Sequence, residues 1–229
     1  MTKTLQAWVL HKQWSGDTSA RVSFYTQELG LVTCLYKGGR TPKKQALLQA
    51  FNPLWVSFDE RRERYYVSAV ESNQPPLGLQ GDSLFSGLYV NELLYYVLSP
   101  LYPDANLYSA YLQTLNALVA TTEPIALEAL LRRFEWTLLT ASGASFSLLK
   151  DARTEEDIQP EWHYQFVIGE GIVRTKQGIP GEHILALAAD ELHEAHYLKS
   201  AKYIMRQAID DLVGGREIKA RALYAASKM

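Results

Sequence analysis

Over the first seventy-two residues, apolar positions partly alternate with polar or small ones in five short runs. These are 5–14 (LQAWVLHKQW), 20–27 (ARVSFYTQ), 31–37 (LVTCLYK), 51–59 (FNPLWVSFD) and 64–72 (RYYVSAVES). A period of two is the signature of a strand with one face in a core and the other in water. Turn residues separate the early runs, at Ser15–Asp17 and Gly30. Five strands in this length, with no strong helical segment among them, predict a small closed barrel or sandwich. The five-stranded OB barrel is the commonest such object of this size. The next stretch, 73–82 (NQPPLGLQGD), has two prolines and two glycines that forbid helix and central strand, so it predicts a linker.

Beyond residue 82 the period lengthens. Helical spacing marks 83–99, 106–120, 123–143 and 183–215, the last as one or two helices ending at Gly214–Gly215. Glu123 and Pro124 open the third of these segments and Gly143 closes it. Residues 164–178 alternate again and turn at Gly169–Gly171, which predicts a small hairpin. The predicted fold class is therefore α+β. An N-terminal five-stranded OB-fold barrel (1–80) precedes a mainly α-helical domain (81–229) with a small β-hairpin insertion.

Length and composition narrow the function. The chain of 229 residues is long enough to bury a core, and no run approaches the ~18 apolar residues of a membrane span. The N-terminal residues lack the apolar stretch and cleavage site of a signal peptide, which points to the cytoplasm. Cys34 is the single cysteine, so internal disulfides and multi-cysteine zinc sites are excluded. Cys34 reads as a small core residue. The net charge of −2 hides an asymmetry. Residues 1–80 carry ten Lys and Arg against six Asp and Glu, a net +4, and the remainder carries −6. A basic N-terminal third suits a polyanion-binding module.

The motifs of common catalysts are missing. The stretch YKGGRTPKKQ (36–45) lacks P-loop spacing and is interrupted by Pro42. The string GEGIVR has only two glycines of a dinucleotide loop, and GxSxG is absent. His193 and His196 in HEAH fall three apart, without a convincing third metal ligand. No cofactor and no metal are expected.

Three basic clusters remain. Lys37, Arg40, Lys43 and Lys44 lie in the loop between the third and fourth strands. There, Gly38 and Gly39 allow close backbone approach, and Pro42 with the glycines suggests an adaptable segment. Cations of this kind neutralise phosphates, while nearby aromatics stack bases. A solvated hairpin loop with core aromatics accounts for the same composition. Arg132 and Arg133, in LLRRFEW, cannot both face a core. They are candidates to hold a carboxylate beside an apolar groove, or simply surface arginines on an amphipathic helix. Lys199, Lys202 and Arg206 share a helix face and form a second basic surface.

Four strings, in order, resemble the RecO family of bacterial recombination mediators: AWVLHKQWSGDTSARVSFYTQELGLVTCLYKGGR, GLYVNELL, LRRFE and VGGREIKARALY. The resemblance spans about residues 5–225 and implies an OB domain followed by a helical domain. It implies binding of single- and double-stranded DNA, strand annealing and recombinational repair. It also implies work with RecR, help in loading the RecA recombinase, and binding of the acidic, Phe-ending tail of the single-stranded DNA-binding protein. Many members carry a four-cysteine zinc module in the helical part. This chain has no cysteine there and resembles the zinc-free branch. Carried over, Lys37 and Arg40 match a DNA-contact position, and Arg132 lies in the region that receives the tail. The expected location is the cytoplasm, in association with the nucleoid. Two other readings stand beside this one. One is a protein-interaction adaptor whose barrel meets no nucleic acid, and the other is a metal-dependent enzyme using His193 and His196.

Overall fold

The computed structural model describes residues 2–62, 64–72 and 74–226. Five strands close into a barrel in the order β1-β2-β3-β5-β4. They are β1 (Thr2–Ser15), β2 (Ser19–Thr26), β3 (Gly30–Tyr36), β4 (Leu54–Arg61) and β5 (Arg64–Ser72). The alternation of the sequence becomes the barrel interior. Ala20, Val22 and Phe24 of β2 face Val32, Cys34 and Tyr36 of β3, and Leu54, Val56 and Phe58 of β4 complete the packing. Closure depends on the length of β1. Its first half pairs with β4 and its second half with β2, and a bulge between Val9 and His11 turns the corner.

Between β3 and β4 the sequence suggested an adaptable loop. The structure corrects this. Pro42 opens a short helix, α1 (Pro42–Leu47), as a first-turn residue. Its fixed φ suits that position, and its missing N–H costs nothing there. The fully buried Leu48 and the partly buried Leu47 then pack on the barrel core. The linker prediction for 73–82 holds as irregular chain over the described residues 74–80, but this segment is pinned. Leu77 N–H donates to Phe51 C=O at 2.9 Å, and Leu79 is buried.

The helices and second sheet comprise α2 (Gly81–Val97), α3 (Ala105–Ala120), α4 (Pro124–Ala141), β6 (His163–Val167), β7 (Gly171–Thr175), β8 (Ile179–Pro180), α5 (Gly181–Ala188), α6 (Ala195–Leu212) and α7 (Lys219–Ala226). The chain forms two compact units, one of residues 1–120 with 218–229 and one of 121–217. The change of secondary structure near residue 80 is therefore not where the compact units divide.

In the first unit α2 lies against β1. Asn91 is buried there because it donates to Val9 C=O and accepts from Tyr111 OH. The Glu92 carboxylate receives the backbone N–H groups of Lys219 and Ala220, which fastens the start of α7 to α2. In the second unit α4 packs on α6. Glu123 caps α4, its carboxylate accepting from Ile125 and Ala126 N–H. The predicted hairpin is β6–β7, with β8 added along β6. Preceding it, the buried Asp151 accepts the backbone N–H groups of Arg153 (2.8 Å), Thr154 (3.1 Å) and Arg174 (2.6 Å). One carboxylate thus knots residues 151–154 to β7. Burial pushes its pKa up, but the three backbone donors and Arg153 outweigh this and hold it below the ordinary value.

Candidate nucleic-acid interface and partner groove

The basic loop is an ordered collar. Gly38 takes φ +69°, and a Cβ on Gly39 would meet Ala20 Cβ at 3.0 Å, so both glycines are needed for the close passage over β2. Arg40 is tied down by its backbone N–H to Thr18 C=O and by Nη1 to Gly16 C=O at 2.8 Å. Its guanidinium also lies over the half-exposed Trp14 ring. Lys44 Nζ donates to Lys37 C=O and sits 4.4 Å from the centre of the Tyr36 ring. These two cations therefore hold the collar to the β1–β2 turn and to β3. The Lys37 and Lys43 side chains are exposed, and among the described residues neither has an ion-pair or hydrogen-bond partner. The four cations are close in space, but they do not do the same work.

The outer face of the barrel adds residues that the sequence reading overlooked. Strand pairing places Arg21 beside Leu35, and Leu35 beside Tyr66, in one outward-facing row across β2, β3 and β5. The β4–β5 turn supplies Arg61, Arg62 and Arg64, all exposed. Only Arg61 has a nearby carboxylate, Asp59 at 3.6 Å, among the described residues. The signal was present as RRER at 61–64, three cations at the tip of a predicted hairpin. The face thus has apolar and aromatic groups at its middle and cations on the flanking loops, the arrangement by which barrels of this kind hold single strands.

The second basic surface has a different character. Lys199, Lys202 and Arg206 lie exposed on α6, with the exposed Tyr203 among them. Lys202 pairs with Glu128 at 2.8 Å, and Arg206 lies 4.0 Å from Asp210. Two of its three cations are already answered.

Arg132 and Arg133 part company, as two neighbours on a helix must. Arg132 is 6% exposed and donates to Glu135, itself 1% exposed, at 2.6 Å. Arg133 points out, and its Nε–H is shared by both Asp190 carboxylate oxygens at 2.8 and 2.9 Å. Both arginines border a groove of about 500 Å³, whose walls include Trp136, Leu148, Leu149, Leu187 and Leu192. An apolar trough with guanidinium at its edge fits a peptide that is both apolar and acidic. His193 is exposed beside Glu194, and the His196 ring meets those of Tyr197 and His183 at a tilt. Among the described residues no group of three His, Cys, Asp or Glu is placed to hold a metal ion. None of the described helices is long and apolar enough to cross a membrane.

Comparison with known proteins agrees with this architecture. Residues 1–76 match the family model for the recombination protein O N terminal region, and residues 79–224 match that for its C terminal region. The chain is 65% identical over 224 residues to a DNA repair protein RecO of Legionella pneumophila (strain Paris), covering 97% of this chain and 98% of that protein. It is 33% identical over 226 residues to a DNA repair protein RecO of Tolumonas auensis, covering 96% and 94%.

Proposed function

Because the chain belongs to the RecO family, its role lies in recombinational DNA repair, and within that role we propose that it is a non-enzymatic mediator that anneals complementary strands. The outer barrel face binds single-stranded DNA, with Lys37, Lys43 and the β4–β5 arginines on the phosphates. Arg40 and Lys44 act mainly by holding the collar that presents Lys37. Double-stranded DNA uses the same cations, since phosphate neutralisation carries no sequence requirement. Cations between two strands lower the repulsion that opposes pairing. The apolar groove with Arg132 and Arg133 takes the acidic tail of the single-stranded DNA-binding protein, which brings the mediator to coated strands and, with RecR, to recombinase loading. The α6 cations add a weaker second surface.

The single observation that carries this reading is the set of barrel cations, Lys37, Lys43, Arg62 and Arg64, that have no carboxylate partner among the described residues, beside the exposed Trp14 and the part-buried Leu35 and Tyr66. Strand annealing between two labelled complementary oligonucleotides tests it. The expected result is acceleration by the protein, suppressed by salt. Annealing at the spontaneous rate at low salt would contradict it. The adaptor alternative draws support from Arg40 and Lys44, whose donors are engaged within the protein. Absence of any oligonucleotide binding at low salt would favour that alternative.

A further inference from the structure

We infer that Asp190 is a built-in stand-in for the carboxylate of the incoming ligand: it occupies Arg133 at the rim of the groove and sets how acidic a peptide must be to enter. The inference rests on the reading of the groove as the acidic-tail site and names its internal competitor.

Three helices of the second unit end in the same way. After α4, Gly143 N–H donates to Thr140 C=O and Ala144 N–H to Leu139 C=O. After α6, Gly214 N–H donates to Asp211 C=O and Gly215 N–H to Asp210 C=O. After α5, Asp190 N–H donates to Leu187 C=O and Glu191 N–H to Ala186 C=O. In each case the residue beyond the cap is left-handed, with φ of +68°, +64° and +58°. Glycine is the usual residue there, and the first two ends use it. The third uses Asp190, and aspartate is one of the few residues besides glycine that enter this conformation. The backbone admits an aspartate as well as an asparagine or glycine, and the groove distinguishes among them by charge. The turn aims the carboxylate at Arg133, where both oxygens share one N–H.

Charge at the rim is then cancelled from within. Arg132 is answered by Glu135, and Arg133 by Asp190. A ligand carboxylate therefore competes with one of the two acids for guanidinium charge, even where it uses the Arg133 Nη donors that Asp190 leaves open. Glu135 is buried, and stripping it from Arg132 would leave charges in the interior. Asp190 is more than half exposed and returns to water at little cost. Arg133 is thus the cation the ligand reaches, and Asp190 is a positioning and specificity residue acting through it.

The test uses the full chain and a fluorescein-labelled peptide with three Asp residues followed by a C-terminal Phe carboxylate. A control peptide carries Asn in place of Asp and a C-terminal amide. Asp190→Asn and Asp190→Gly both tolerate the left-handed turn. By anisotropy, both variants are expected to bind the acidic peptide about two- to fivefold more tightly than wild type, the range of an exposed ion pair. The control peptide should show no gain, and in an Arg133→Ala background the gain should vanish. Three results would overturn the inference. Affinity for the acidic peptide could be unchanged or weaker in both variants while wild type binds it. The gain could persist without Arg133, which would mark a general charge effect. Wild type could fail to bind the peptide at all, which would remove the groove reading itself.

Discussion

The groove and α6 cations of the second unit differ from the loop cations of the barrel in how many acids they meet. In the second unit Arg132, Arg133, Arg153, Lys202 and Arg206 each have a carboxylate within 4.0 Å. On the barrel, Arg21, Lys37, Lys43, Arg62 and Arg64 have none among the described residues, and Arg61 has only a loose one. A count of Lys and Arg cannot see this difference. A polyanion gains from a cation only what the protein has not already satisfied, so the proposed function puts phosphate binding on the barrel and ranks the α6 stripe below it. In the second unit the same residue types are tied into ion pairs.

Four perturbations would break or sharpen that contrast. The largest effect is expected from Glu135→Ala, which leaves Arg132 buried without its counter-charge. The second unit should lose about 3–5 kcal/mol in urea unfolding. A loss below about 1 kcal/mol would show that the pair is not structural. Arg132→Ala removes the ion-pair partner of the buried Glu135 and so perturbs the interior, so Arg133→Ala is the cleaner probe of peptide binding.

Next is Asp151→Ala, which frees three backbone N–H groups and should cost on the order of 1–3 kcal/mol near neutral pH. Burial raises the Asp151 pKa, and the donors more than reverse this, leaving it below 3.8. Its contribution is therefore complete above 3.8 and is lost as pH falls through the lower folded value. The difference in melting temperature between wild type and Asp151→Asn should shrink on going from pH 7 to pH 3. A constant difference would refute the assignment.

Third, replacing Lys37, Lys43, Arg61, Arg62 and Arg64 together by Ala should weaken oligonucleotide binding about tenfold or more at low salt. Unchanged circular dichroism and melting temperature would show that the fold is kept. The smallest effect is expected from Lys199, Lys202 and Arg206 changed together to Ala, a loss of less than about twofold, because two of the three already have acid partners. A loss as large as that of the barrel variant would erase the distinction between the units.

Much of this fold was legible in the sequence. Barrel strands announce themselves because every second residue must be apolar, as in Ala20, Val22 and Phe24. Helix ends were legible where Pro124 or Gly143 marked them. The short α1 escaped because six residues give too few turns for a period, and the glycines before it suggested a loop. The charge clusters were visible as compositions, but their states were not. Arg133 meets Asp190 fifty-seven positions away, and Arg40 meets Gly16 twenty-four away. Pairings at such separations are set by tertiary packing, to which local patterns are blind. Asp151 was invisible for the same reason, since its partners are backbone amides. The RRER turn was legible and was passed over, because a hairpin tip is polar by default.

The central claim, that the loop cations of the barrel carry DNA binding, is tested most directly by the salt dependence of single-stranded oligonucleotide affinity. The slope of log K against log salt should fall by about 0.7 for each phosphate that the five-residue barrel variant no longer neutralises, while the α6 variant keeps the wild-type slope. A flattened slope in the α6 variant together with a wild-type slope in the barrel variant would contradict the account.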